Sequence, residues 1–318
     1  MREADIIDRL LRPIATHPAA RGLLDDAAVW APPVGRELVL THDSVAEGVH
    51  YLATDDPSDI AWKLVAVNLS DLAAKGARPV GILVGLGLAR PDDAWLGRFA
   101  SGLARVLAEH DTSLFGGDTI IGAAGAVLGC TAIGDVPRGM ALSRAGARAG
   151  DAVYVTGTIG DAGLGLAIAR GQAPADAYLL RRYRLPAPRL RVGQGLFAAG
   201  THAVMDVSDG LLIDAARLAR ASGVRIEIAL ADVPLSLPAA ARLPAGDAGR
   251  LAAATAGDDY ELLVAAPPVA EAALFTLCEG AGVSLARIGR VGEGAGLAVF
   301  GTDGTELAPA RLGYEHGA

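Results

Sequence analysis

The sequence predicts a folded protein of two domains, each mixing strands with helices, and three observations carry that reading. Its 318 residues exceed what a single hydrophobic core usually organises. Hydrophobic residues make up 52% of the chain against 20% charged, enough to fill two interiors. Between two apolar, strand-like stretches, Val136 to Gly150 (VPRGMALSRAGARAG) breaks the pattern with Gly, Ala and Arg. The boundary falls there, with residues 1–138 in the first domain and 139–318 in the second.

Taken in order, Met1 to Ile14 reads as an amphipathic helix, and its internal acids depart from the basic-then-apolar order of a signal peptide. The adjacent acids Asp25 and Asp26 open an apolar segment, as a solvated turn would. Glu37 to Thr41 alternates as a strand that ends at Asp43, and His50 follows seven residues later, a surface group or a ligand contact. Pro57 to Gly76 is a helix with proline in its first turn and glycine at its end. Asn68 and Asp71 share one of its faces, with Lys75 a turn beyond and in reach of Asp71. In the apolar context VNLSDLAA, a carboxylate needs either such a partner or a metal. The strand PVGILVGLGL, a helix from Asp92 to Glu109 and the short strand TSLFGGDTI come next. The last of these presents Asp118 beside Gly116 and Gly117, which permit close backbone approach to a ligand. The uncharged run Thr119 to Gly134 reads as buried strands.

The second domain opens with a strand at Ala152 to Thr156 and helices at Asp161 to Arg170, Tyr178 to Tyr183 and Leu190 to Ala199. Ala203 to Asp214, AVMDVSDGLLID, is an apolar strand that ends in two aspartates and enters a helix. Leu211, Leu212, Ala215, Leu218 and Ala219 recur at helical spacing, so Ser208 or Asp209 stands where an N-cap belongs. Capping uses one carboxylate. It leaves Asp206 at a strand-to-helix turn, among N–H groups that favour anions. RIEIAL, the acidic turn AGDDYELLVAA, a helix from Val269 and strands near Ile288 and Val299 complete the chain.

Composition excludes several function classes. A net charge of -8 and a pI of about 5.3 argue against nucleic acid, which requires a basic stripe. No stretch reaches the roughly 18 apolar residues of a membrane span. Cys130 and Cys278 both sit in apolar surroundings, which suits a reduced, cytoplasmic setting. Only Lys63 and Lys75 are lysines, and neither follows a GxxxxGK[ST] pattern, so a P-loop is excluded. Phosphate must therefore be held by arginine, backbone amides or metal, and Arg144 in the composition break is either the phosphate-facing arginine or a solvated linker charge.

Asp26, Asp43, Asp71, Asp118 and Asp206 all stand at the ends of apolar segments or within them. If they converge without counter-ions, each pair at 4 Å repels by about 4 kcal/mol at an effective dielectric near 20. Convergence thus implies divalent metal, and an all-oxygen ligand set with no Cys/His spacing selects Mg²⁺ or Mn²⁺. Neither a GxSxG elbow nor a reactive-looking cysteine is present for covalent catalysis.

Seven ordered motifs, DDAAV, THDSVAEGVHY, AWKLVAVNLSDLAAKGARP, FGGDT, SRAGARAGD with VTGTIGDAGLGLA, MDVSDGLLID and AGDDYEL, resemble the thiamine-monophosphate kinase family. That family lies in the PurM-like superfamily of ATP-dependent enzymes related to aminoimidazole ribonucleotide synthetase. The resemblance implies an α+β fold of two domains, the N-terminal sheet pairing with a dimer mate and ATP bound between the domains. It implies direct transfer of the γ-phosphoryl group of ATP to thiamine phosphate, assisted by several Mg²⁺ ions. Asp26, Thr41, Asp43, Asp71, Asp118, Asp206 and Asp209 match its metal positions, and Gly117, Asp118, Arg144 and Ser208 its nucleotide contacts. His50, Asp258 and Tyr314 match its substrate contacts, and Asp43, Asp71, Asp118 and Arg144 are the expected catalytic groups. The chain departs from the family pattern at Leu24, His42, Lys75 and Asp258, where Gly, Thr, Met and Glu are usual. Two other readings share the aspartate pattern: a superfamily enzyme with a different acceptor, and a non-catalytic nucleotide or metal sensor. Selenophosphate synthetase-like enzymes use a reactive Cys or selenocysteine near the N-terminus, whereas the first cysteine here is Cys130.

Overall fold

The computed structural model describes residues 2–89, 92–123 and 125–315. The chain divides into two compact units, one of Met1–Leu72 with Ala77–Gly139, the other of Ala73–Gly76 with Met140–Ala318.

In the first unit the amphipathic helix expected over the first fourteen residues is broken into a short α1 (Glu3–Ile6), a π-helical segment (Ile7–Leu11) and a 3-10 turn (Arg12–Ile14). Pro13 brings no N–H to the i→i−4 ladder, so the chain tightens there instead of continuing. Then follow β1 (Arg36–Ala46), α2 (Pro57–Ala74), β2 (Arg78–Leu88), α3 (Asp93–Glu109), β3 (Ser113–Ile121) and β4 (Val127–Pro137). The strands form one sheet in the order β1-β4-β2-β3, antiparallel except for the parallel pair β2 and β3. Helix α3 starts at Asp92, whose carboxylate accepts the Trp95 N–H at 2.6 Å, and it buries Leu96, Phe99, Leu103, Val106 and Leu107 as its spacing predicts. Helix α2 is different. Every residue from Lys63 to Ser70 is buried, so no face of this stretch is turned to water, and its polar members must find partners inside.

The run from Thr119 to Gly134 is not wholly buried as expected. It is the end of β3, a turn and most of β4, and Ala124 within it lies outside the described residues. Ile120, Ile121 and Val127 are 59, 43 and 51% exposed. On the edge strand β1, Leu38 and Leu40 are likewise exposed.

The second unit carries a seven-stranded mixed sheet in the order β11-β10-β7-β9-β5-β8-β6. In chain order its elements are β5 (Ala152–Thr156), α4 (Asp161–Ala169), α5 (Ala177–Arg184), α6 (Leu190–Leu196), β6 (Ala203–Val207), α7 (Leu211–Ser222) and β7 (Arg225–Ala229). There follow α8 (Leu237–Ala240), α9 (Asp247–Ala254), β8 (Glu261–Ala266), α10 (Glu271–Gly280), β9 (Leu285–Gly292), β10 (Gly296–Phe300) and β11 (Glu306–Leu307). Strands β5, β6 and β8 are buried along their whole length, so Asp206 on β6 and Glu261 on β8 are carboxylates set in otherwise largely apolar strands, whereas β7 buries only alternate residues. Helix α7 packs Leu211, Leu212, Ala215 and Leu218 into the core that Val155, Val207, Ile226 and Leu263 share. No helix among the described residues is long and apolar enough to cross a membrane.

Candidate active site

In the first unit, β1 and α2 meet through a matched pair of spacings. Thr41 and Asp43 are two apart on a strand and so share a face, as do Asn68 and Asp71, three apart on a helix. The Thr41 hydroxyl donates to the Asp71 carboxylate, and the Asp43 N–H donates to Asn68 Oδ1 at 2.9 Å. Asn68 is fully buried, and its Nδ2 is held by Leu64 O at 2.9 Å, which fixes the amide for that contact. Asp71, half-buried, thus has a hydroxyl donor that the sequence did not single out as its partner. His42 lies on the opposite face of β1 from Thr41 and Asp43, and its Nδ1 stands 2.8 Å from Thr131 Oγ1. Leu24 is 77% exposed. Asp26 is exposed on a bend, and its N–H donates to Asp25 Oδ1 at 2.9 Å. Hydrogen bonding from Arg21 holds the Asp25 carboxyl below the usual carboxylate range.

Gly117 and Asp118 lie on β3, the other edge of the same sheet. A side chain at Gly117 would place Cβ 1.9 Å from Val84 O, so only glycine lets β3 run this close to β2. Asp43, Cys130, Val84 and Gly117 form one rank across β1, β4, β2 and β3. Three interstrand spacings separate the ends of that rank, about 14 Å. The expected ligands Asp43 and Asp118 are therefore not brought together within the sheet. Among the described residues no three Asp, Glu, His or Cys side chains are grouped as a metal cage. His50 sits in the turn after β1, half-buried, with Nδ1 accepting the Ala46 N–H at 3.1 Å.

In the second unit five of the predicted residues are gathered by main-chain bonds. Asp206 is buried at the end of β6, and Ser208 and Asp209 follow in the loop to α7. Ser208 O accepts the Asp258 N–H at 2.7 Å, and Asp209 O accepts the Tyr314 N–H at 2.8 Å. The N-cap of α7 is Gly210, with extended ψ and no side-chain cap, so neither Ser208 nor Asp209 caps the helix as expected. Asp214, buried in the first turn, reaches back instead. Its Oδ2 accepts the N–H groups of both Ser208 and Asp209 at 3.0 Å, and Arg217 bonds Asp214 and Asp209 together. Burial pushes the Asp214 carboxyl up, while Arg217 pulls it the other way. Asp214 is a carboxylate on the apolar face of a periodic helix, which was the available signal for its role.

Asp258 and Tyr260 both adopt left-handed backbone, φ 70° and 51°. That conformation is costly for most side chains and best tolerated by Asp and Asn, which suits Asp at a position where the family pattern has Glu. The Tyr260 hydroxyl donates to Asp258 Oδ1 at 3.2 Å. Between them Asp259 is buried, its carboxylate taking the Gly160 N–H at 2.7 Å, and burial pushes its pKa up to about 8. Glu261 is also buried and binds Arg182, Arg189 and the Thr156 hydroxyl. These charged residues behind the Asp258 turn were not foreseen. The segment around Arg144 is fastened by Ser222, whose Oγ takes the N–H groups of Gly146 and Ala147 at 3.2 Å, and Arg144 itself is exposed. Cys130 and Cys278 are buried; desolvation raises the first strongly and the second to about 11, so neither offers a thiolate near neutral pH.

Residues 24–136 match the AIR synthase related protein N-terminal domain, and residues 148–302 the C-terminal domain of the same family. Thiamine-monophosphate kinase of Caulobacter vibrioides is 42% identical over 321 residues, which cover 99% of this chain and 91% of that one. The Escherichia coli K12 enzyme is 38% identical, covering 93% and 91%. Among solved structures, thiamine-monophosphate kinase from Stenotrophomonas maltophilia superposes with a TM-score of 0.85 at 38% identity, covering 96% of this chain and 98% of that one. A structure of AaThiL complexed with AMPPCP and TMP gives 0.78 at 29% identity, covering 99% of both chains. Hydrogenase maturation protein HypE in complex with ATP, 22% identical with a TM-score of 0.79, shares the fold. The chain belongs to the AIR synthase-related family and, within it, to the thiamine-monophosphate kinases.

Proposed function

We propose that this protein transfers the γ-phosphoryl group of ATP directly to thiamine phosphate, giving ADP and thiamine diphosphate. The observation that carries the reading is the second-unit cluster, where the loop of Asp206, Ser208 and Asp209 is bonded to the turn of Asp258 and to the Tyr314 backbone. The positions this reading assigns to the nucleotide and to the acceptor are thereby joined by main-chain hydrogen bonds. With both thiols buried and no candidate covalent nucleophile, a phosphate oxygen of the acceptor attacks the γ-phosphorus in line, and ADP leaves. Arg144, exposed on its fastened segment, is the arginine this reading assigns to phosphate charge.

In the first unit Asp26, Thr41, Asp43, Asp71 and Asp118, and in the second Asp206 and Asp209, offer only oxygen, the choice of a hard divalent cation such as Mg²⁺, and in this reading they are the residues that would hold it. When bound, Mg²⁺ would supply the positive charge that lets two phosphate anions meet. The Thr41–Asp71 hydrogen bond holds that carboxylate beside β1, and Asn68 fixes the main chain at Asp43. Incubation with ATP, thiamine phosphate and Mg²⁺ yields thiamine diphosphate, detected by chromatography; product formed at the same rate in excess chelator would sink this reading.

The working form in this reading is a cytoplasmic homodimer. Its support is the 11-residue edge strand β1 with exposed Leu38 and Leu40, the kind of edge that invites pairing with another chain. A second copy that sets its β3 edge beside β1 brings Gly117 and Asp118 of the partner subunit to Asp43, which closes the 14 Å gap no motion within one sheet closes.

A further inference from the structure

Lys63 is unusual in composition and in burial. All but two of the chain's 28 Lys and Arg residues are arginine, so lysine is the exception here. Lys63 is 3% exposed in the middle of α2, and long charged side chains are rarely so buried unless they meet a partner. Its ammonium donates to the main-chain carbonyl of His50 at 2.9 Å. The turn leading to His50 is tightly bonded: the N–H groups of Val49 and His50 reach Ala46 O at 3.2 and 2.9 Å, and the Gly48 N–H reaches Tyr51 O at 2.8 Å. The Ala46 N–H in turn donates to Nδ1 of the His50 ring. A backbone N–H can only give a proton to a hydrogen bond, so Nδ1 carries none, and in the neutral ring the proton sits on Nε2.

We propose that Lys63 is a positioning residue: by holding the His50 carbonyl it keeps the turn closed on the imidazole, so that His50 meets the phosphorylated acceptor as an Nε2–H donor and not as a base. The proposal rests on the reading that His50 contacts thiamine phosphate. Phosphate oxygens offer lone pairs, and a fixed N–H is the complementary group. A compact ammonium on a flexible stem reaches the His50 carbonyl from within the packed helix α2, where a planar five-donor guanidinium is harder to match.

A double-mutant cycle on the full-length protein tests this, with Lys63→Met, His50→Ala and both together, reading the KM for thiamine phosphate and for ATP separately. His50→Ala raises the KM for thiamine phosphate about tenfold and leaves that for ATP unchanged. Lys63→Met moves the same constant in the same direction, and the double variant is no worse than His50→Ala. If the two losses multiply in the double variant, Lys63 does not act through His50 and the proposal falls while the His50 reading stands. If His50→Ala changes nothing, both fall. Nitrogen-15 spectra of histidine-labelled protein give a readout independent of turnover: a single Nε2–H tautomer for His50 in the parent and a mixture in Lys63→Met. An unchanged ring state in Lys63→Met overturns the proposal. Should that variant fail to fold, Lys63→Gln, which keeps an N–H donor on a shorter stem, carries the same measurements.

Discussion

At the scale of single residues, the three aspartates around α7 have to be separated by what each one holds. Asp209 reads from sequence as a helix cap and ligand together, but its side chain does not cap α7 and meets Arg217, with both partners partly exposed. Asp209→Ala therefore lowers stability by less than about 1 kcal/mol while abolishing most turnover. Asp214→Ala leaves two loop N–H groups without their acceptor, a loss of about 2 kcal/mol that thermal melting shows as a Tm several degrees below that of Asp209→Ala. Equal melting of the two variants would contradict this division. Asp71→Asn keeps an oxygen for the Thr41 hydroxyl, so it folds normally and loses turnover by orders of magnitude; a variant that melts early yet turns over normally would make Asp71 structural. Asp71 was legible because its apolar helical context is hostile to an idle carboxylate. Asp214 stood out only as a carboxylate on an apolar face; its role was not legible, because the N–H donors it accepts from lie on a loop whose return path the periodicity of α7 does not encode.

At the scale of elements, the helices with one wet face, α3 and α7, were readable from their period, and so were the fully buried strands β5 and β6. What sequence could not supply was the order of strands in either sheet, since register depends on partners far along the chain. Asp135 shows how such partners are enforced. It lies on β4 with its side chain fully buried, and it binds Arg36 at the start of β1 and Arg78 at the start of β2, stitching three strands at one end. Burial alone raises its pKa, but hydrogen bonds from Arg78 and Arg36 outweigh that, and the net shift is downward from 3.8. A carboxyl whose folded pKa lies below its unfolded value contributes stability above the unfolded value and loses it as pH falls through the folded one. Asp135→Asn thus is less stable than the parent at pH 7, by about 2 kcal/mol, and the gap narrows as pH falls below about 4 toward the lower folded pKa. Melting curves from pH 7 down to 3 check this, and a gap that persists undiminished at pH 3 would mean packing, not charge, is what the variant lost.

At the scale of the whole molecule, the sequence placed the expected ligands on the ends of apolar segments, and the sheet then put two of them on opposite edges. Asp43 on β1 and Asp118 on β3 have two strands between them, so in the proposed homodimer a site that uses both would take one from each subunit. Mixed dimers decide this. Asp43→Asn and Asp118→Asn are each inactive alone, because every site in either homodimer carries one defect. In a dimer of one Asp43→Asn chain with one Asp118→Asn chain, a site shared between subunits receives both defects on one side and none on the other, so one intact site reappears. Random re-association of equal amounts makes about half the dimers mixed, each with one working site in two, and restores about one quarter of the parental activity. A site built within one chain gives a different answer, since every site in the mixed dimer still lacks one carboxylate. The measurement is kinase activity after the two variants are unfolded together and refolded, against each refolded alone. The control adds Leu40→Glu to both chains, which buries a charge in the pairing edge: sedimentation should then show monomers, and the recovered quarter should vanish with the dimer.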